Sequence, residues 1–323
     1  MLRQSRIDLG TYDKEFEKKY KHSIYNFQII KKLGSGKFSD VFIAKDKLTG
    51  FYVALKQIKF STIVEFNIYQ DISNEIIMQS KLKHKNIIQI FGFFITDDSI
   101  YLIQELACGK ELFADMKAQP NKSYNESIVS LYIRQVADAL HYMHMYNIVH
   151  RDIKPENILI CDGILKVCDF GYAAPFSKQN LRSTFCGTLE YVSPEMIENK
   201  KYNNSVDIWS LGVLTYELIF GRSPFNGKDH EEVFENVLGV NINIFIWFHL
   251  LQFFFLKKKG SLEFQGPITF ECGDFISRLL EKNPSKRMKL AQVLKHPFIV
   301  NVKNNNISFD KNTKVEDFQF LQN

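Results

Sequence analysis

The 323-residue chain holds 41 basic and 36 acidic residues, a formal net charge of +5, and 45% hydrophobic residues, enough to bury a core in one large domain or two. Without a dense Lys/Arg block, this small positive excess reads as a solvated surface and gives no support for binding to nucleic acid or a membrane surface. The five cysteines, Cys108, Cys161, Cys168, Cys186 and Cys272, are odd in number and form no CxxC pair, and no signal-peptide pattern precedes them, which predicts a reducing, intracellular compartment.

Residues 1–24 mix charges (Lys14, Glu15, Glu17, Lys18, Lys19, Lys21) without apolar periodicity and read as a tail. From Phe27 to Ile58, apolar residues alternate around Gly-rich and Thr49-Gly50 turns, which predicts a β-meander, and 72–82 reads as a helix. Residues 25–106 are thus expected to form a small strand-rich lobe. After Leu112 the pattern turns helical, with 127–146 a long amphipathic stretch and further helices expected over 205–220, 274–281 and 290–295. Residues 107–300 are the larger helical lobe, so the fold class is α+β and bilobal. Residues 301–323 are Asn-rich and polar and read as a disordered tail, whose Phe309, Phe318 and Phe320 could dock on the domain.

Residues 240–259 (VNINIFIWFHLLQFFFLKKK) break the composition of their neighbours. A membrane helix needs about 20 apolar residues, whereas this apolar core is shorter and contains His249 and Gln252. A helix inserted here would expose a large apolar patch. The segment is read as a translated intron, since its removal leaves an ordinary short loop between two helices.

The chemistry-bearing residues follow in a fixed order. Leu33-Gly34-Ser35-Gly36-Lys37-Phe38-Ser39-Asp40-Val41 lies between predicted strands, with glycines where a backbone can approach phosphates. Val53-Ala54-Leu55-Lys56 comes next, then Glu75 in the predicted helix. His150-Arg151-Asp152-Ile153-Lys154-Pro155-Glu156-Asn157 and Asp169-Phe170-Gly171 come last. This order resembles the protein kinases.

The resemblance implies ATP as donor and Mg²⁺ as cofactor, with Leu33, Gly34, Gly36, Val41 and Ala54 around the nucleotide. Lys56 would hold the α/β-phosphates and Glu75 orient it. Asp152 would be the catalytic base and Lys154 would neutralise the transferring phosphate. Asn157 and Asp169 carry oxygens suited to Mg²⁺, and Glu105 and Ala107 would offer backbone groups to adenine. Lys154 is the residue type of serine/threonine kinases. Thr184 sits where an activation loop is phosphorylated, opposite Arg151. Thr188 would bond within the catalytic loop, and Glu195 would pair with Arg287. Glu111, Glu156 and Glu217 occupy acidic positions that hold substrate arginines in basophilic kinases.

Within the kinases, Phe185-Cys186-Gly187-Thr188-Leu189-Glu190-Tyr191, Ser193-Pro194-Glu195-Met196-Ile197 and Val206-Asp207-Ile208-Trp209-Ser210-Leu211-Gly212 resemble the Aurora family of serine/threonine kinases. The likeness runs from about residue 26 to residue 300, excepting 240–259. Gln79, one turn after Glu75, also resembles Aurora kinases, where most kinases place an apolar residue. A polar side chain there needs partners, which implies an active state stabilised from outside by a protein docked on the small lobe. By the same resemblance the protein would serve cell division, in cytoplasm, nucleus, spindle or centrosome. Gln104 at the gatekeeper position and Lys110-Glu111-Leu112-Phe113 depart from that family. They keep calmodulin-dependent, AGC and polo-like kinases, and a scaffold without turnover, as alternatives.

Overall fold

The computed structural model describes residues 22–176, 185–240 and 268–301. Most of the N-terminal tail, Thr184, the anomalous segment beyond Val240 and the C-terminal tail beyond Asn301 lie outside the described residues. The described chain divides into two compact units. The first runs to Cys108 and includes Cys168–Ala174; the second comprises Gly109–Val167 and the residues from Pro175 on.

The first unit is an antiparallel sheet in the order β1-β2-β3-β5-β4, made of β1 (Phe27–Ser35), β2 (Asp40–Asp46), β3 (Tyr52–Lys59), β4 (Ile90–Ile95) and β5 (Ser99–Glu105). Both faces are covered, and the period-2 alternation of strand side chains sorts residues between them. Val53, Leu55, Tyr101 and Ile103 join Phe27 and Phe94 on one face. Ile58, Ile100 and Leu102 point to the other, where they meet Ile63 of α1 (Phe60–Phe66) and Ile72 and Ile76 of α2 (Tyr69–Gln79). Lys56 has the parity of Ile58, so it faces α2.

The helix expected over 72–82 begins three residues earlier and stops at Gln79. Helix α1 was not legible in periodicity; it is a single short stretch closed by Asn67 in the left-handed region at φ 52°.

In the second unit α3 (Leu112–Ala118) precedes α4 (Glu126–Met145), which buries Val129, Ile133, Val136, Leu140 and Met143 on one stripe. Asn125 caps α4 by accepting from the Ile128 N–H at 3.0 Å. The short strands β6 (Lys110–Glu111), β8 (Ile158–Cys161) and β9 (Ile164–Val167) form a sheet in that order, and β7 (Ile148–Val149) leads into the His150 segment. Helix α5 (Pro194–Ile197) precedes α6 (Ser205–Phe220), which is buried almost throughout and largely apolar for that reason, with Asp207 and Glu217 its two charged residues. Helices α7 (His230–Leu238), α8 (Phe270–Leu279), α9 (Leu290–Val293) and α10 (Pro297–Val300) complete the unit. Helix α8 starts before the expected residue 274 because the Thr269 hydroxyl caps it, accepting from the Cys272 N–H at 3.2 Å. No helix among the described residues is long and apolar enough to cross a membrane.

Candidate active site

In the first unit, β1 and β2 meet in a turn where Gly36 N–H donates to the Ser39 carbonyl at 2.7 Å. An added Cβ at Gly34 would meet nothing within 4 Å, and at Gly36 only ordinary contacts at 3.7 Å. Nothing in the fold itself therefore demands glycine there, and open space remains above the turn. Val41 pairs with Lys56 across β2 and β3, and Ala54 pairs with Gln104 across β3 and β5. Leu33 is exposed on β1, while Ala107 is half-buried. The Glu105 N–H donates to the Gln89 carbonyl at 2.8 Å, and its carboxylate accepts from the Gln89 N–H at 3.2 Å.

Lys56 Nζ donates to both carboxylate oxygens of Glu75, at 2.7 and 2.9 Å, and lies 3.9 Å from Asp169 Oδ1. Burial opposes the charged form of Lys56, but the two carboxylates outweigh it and hold the ammonium above its ordinary range. Asp169 sits at φ +61°, a conformation that costs a non-glycine residue energy and that folds retain at functional positions. Its carboxylate is about half exposed.

In the second unit, Asp152 is buried and its carboxylate is surrounded by donors. Oδ1 accepts from the Thr188 N–H at 3.1 Å and the Thr188 hydroxyl at 3.0 Å; Oδ2 accepts from Asn157 Nδ2 at 2.7 Å and Lys154 Nζ at 3.0 Å. Lys154 Nζ also donates to Thr188 Oγ1 at 2.6 Å. Asn157 turns its NH₂ to Asp152, which leaves its oxygen available to a hard cation. Gly187 adopts φ +97°, and a Cβ there would stand 2.7 Å from the Arg151 carbonyl oxygen, so only glycine lets this loop approach the His150–Asn157 segment.

Among the described residues, no cluster of three His, Cys, Asp or Glu could hold a metal alone. Asn157 in the second unit and Asp169 in the first each carry an oxygen of the kind that Mg²⁺ takes.

Residues 27–299 match the protein kinase domain. The chain is 43% identical over 279 residues to an Aurora kinase of Schizosaccharomyces pombe, covering 86% of this chain and 72% of that protein. It is 40% identical over 284 residues to an Aurora kinase of Dictyostelium discoideum, covering 87% and 67%. With an Aurora kinase of Encephalitozoon cuniculi the identity is 41% over 279 residues, covering 85% and 94%.

The chain is a serine/threonine protein kinase of the Aurora family. It has the bilobal α+β kinase fold, and membership implies ATP as phosphoryl donor, with Mg²⁺ typical, and proteins as substrates. The calmodulin-dependent, AGC, polo-like and scaffold alternatives are not favoured.

This Aurora-family kinase also uses residues that sequence reasoning missed. Asp207, wholly buried in α6, accepts from the backbone N–H of His150 at 3.0 Å and of Arg151 at 2.8 Å, and pairs with His144 Nε2 at 2.8 Å. It pins the backbone that presents Asp152. Burial alone would raise its pKa, but His144, His150 and the Arg151 N–H together hold it below the usual carboxylate value. Its signal in the sequence was an acid in the first turn of a mostly apolar helix whose other acid is Glu217. Arg151, at φ +70°, donates to the Tyr202 hydroxyl at 3.1 Å.

Glu156 lies within electrostatic reach of both Glu111 and Glu217, and Glu190, unanticipated, is within reach of Glu156 and Glu217. Burial raises the carboxyls of Glu111, Glu190 and Glu217, and Glu156 raises each further. Glu217 additionally accepts from the Tyr191 hydroxyl.

Proposed function

We propose that this kinase transfers the ATP γ-phosphate to serine or threonine hydroxyls that follow arginines in its protein substrates. The observation that carries the chemistry is the Asp152 carboxylate, fixed by Thr188, Lys154 and Asn157. A carboxylate so oriented accepts the substrate hydroxyl proton, and Lys154 stands beside it to meet charge on the transferred phosphoryl group. Lys56, held by Glu75, contacts the nucleotide phosphates, with Leu33, Gly34, Gly36, Val41 and Ala54 around the nucleotide and Glu105 and Ala107 offering backbone groups to adenine. Asn157 and Asp169 would hold Mg²⁺, which would supply positive charge to the phosphates.

Substrate arginines are recognised by Glu111, Glu156 and Glu217, the charge of Glu156 acting on both of the others. Phosphorylation of Thr184 would give Arg151 an anionic partner. An activating protein on the small lobe and a mitotic role at spindle or centrosome complete the reading, on family likeness.

The test is transfer from Mg-ATP to Arg-Arg-x-Ser and Ala-Ala-x-Ser peptides. Asp152→Asn should lower kcat by about 10²–10⁴ while ATP binding survives, and the Ala peptide should show a raised KM. Unchanged kcat in Asp152→Asn would remove Asp152 from the chemistry. Equal KM for the two peptides would remove the arginine preference.

A further inference from the structure

Helix and strand periodicity bring three polar side chains of the first unit together. The buried stripe of α2 contains Ile72, Glu75, Ile76 and Gln79, the i, i+3, i+4, i+7 positions where an amphipathic helix keeps apolar residues. Two of these four are polar, and Gln79 is 0% exposed. On β5, Gln104 has the parity of Ile100 and Leu102 and so shares the face turned to α2. Gln104 Nε2 lies 3.4 Å from Glu75 Oε1 and 3.5 Å from Gln79 Oε1, and Gln79 Nε2 donates to the Ile88 carbonyl at 2.7 Å.

Chemistry forces the direction of each bond. A main-chain carbonyl only accepts, so Gln79 presents its NH₂ to Ile88 and its oxygen to Gln104. A carboxylate paired with Lys56 only accepts, so Gln104 presents its NH₂ to Glu75. The two N–H bonds of Gln104 thus serve Glu75 and Gln79. An apolar side chain at 104 would deprive the Gln79 oxygen of this donor inside the core and release Glu75 from its second anchor.

We infer that Gln104 is a positioning residue for phosphoryl transfer, whose amide straps Glu75 to Gln79 and holds the Lys56–Glu75 pair assembled from within the chain. The inference rests on the roles proposed above for Lys56 and Glu75. Gln79 finds partners inside its own unit, in the Ile88 carbonyl and the Gln104 amide. At 3.4 and 3.5 Å these are long hydrogen bonds, so the effect is moderate.

The experiment measures kcat, KM for ATP and the melting temperature of the full chain and three variants. Gln104→Met keeps length without a donor, Gln104→Glu keeps shape but turns acceptors toward Glu75, and Gln104→Asn keeps a donor on an arm too short to reach. Met and Asn should each lower kcat about fivefold, the worth of one net hydrogen bond, and Glu should lower it further. Should one variant fail to fold, the other two decide.

Unchanged kcat, equal losses for Met and Glu, or losses that merely follow the folded fraction would each overturn the inference. A Lys56→Met control separates the two levels. If it stays active, the role of the pair itself is wrong; if it is inactive while the position-104 variants behave as wild type, the strap alone is wrong.

Discussion

Among the described residues, the buried pairs Lys56–Glu75 of the first unit and Arg287–Glu195 of the second differ in how the protein uses their donors. In the second unit, Arg287 is 0% exposed at its side chain and Glu195 4%. All five N–H directions of Arg287 end on the chain: two on Glu195 at 2.7 and 3.0 Å, and one each on the carbonyls of Ser205, Glu281 and Lys282 at 2.8, 2.9 and 3.4 Å. Its guanidinium also lies 5.2 Å from the Trp209 ring centroid. In the first unit, Lys56 is 17% exposed, gives two bonds to Glu75 and faces the half-exposed Asp169 at 3.9 Å. A charge whose every donor ends on protein can only hold the fold. A charge that reaches the surface beside a second carboxylate can also take a ligand.

The largest expected effect breaks the saturated pair. Arg287→Ala leaves Glu195 buried without its cation and should cost about 3–5 kcal/mol in urea denaturation. Lys56→Met should cost less stability, because Lys56 is 17% exposed and gives two bonds where Arg287 gives five, yet it should abolish measurable transfer. Equal stability losses for the two variants would sink the contrast.

Gly212→Ala probes the second unit without touching a charge. The new methyl would stand 2.8 Å from Leu279 Cβ and 2.9 Å from Leu280 Cδ2, an overpacking of about 1–3 kcal/mol. The melting temperature should fall while kcat per folded molecule holds. A drop in kcat at full folding would tie this core to the chemistry.

The smallest effect is in pH. Glu111, Glu190 and Glu217 have carboxyls raised above the ordinary value of 4.5, so acidification neutralises them first. Asp207 is depressed below 3.8, so its contribution to stability is complete above that pH and is lost only as pH falls through its lower folded value. KM for the Arg-Arg-x-Ser peptide should therefore rise on acidification before the fold weakens, with no matching rise for Ala-Ala-x-Ser. A parallel rise for both peptides would mean that the carboxyls do not read arginine.

The proposed phosphoryl-transfer segment was legible because its residues are neighbours in the chain. Asp152, Lys154 and Asn157 fall within six residues, and their mutual bonds follow from one tight segment. Helix α6 was readable to its ends because its apolar run stops at Gly221, which takes φ +74° as a left-handed cap. Helix α1 escaped because seven residues carry too few turns for a period to show. Asp207 escaped because a buried acid in an apolar helix does not announce which backbone it will bind.

By itself the sequence determined the strand and helix periodicities, the order of the phosphate-handling groups and the family. Those are properties of neighbours along the chain and of spacings a motif preserves. Only the tertiary structure decided that Asp207 reaches the backbone of His150 and Arg151, 57 and 56 residues away, and that Gln104 reaches Glu75 and Gln79, 29 and 25 residues away. Hydrophobic burial decides which faces pack, and hydrogen bonds over such separations exist only once that packing has brought their donors and acceptors within about 3 Å.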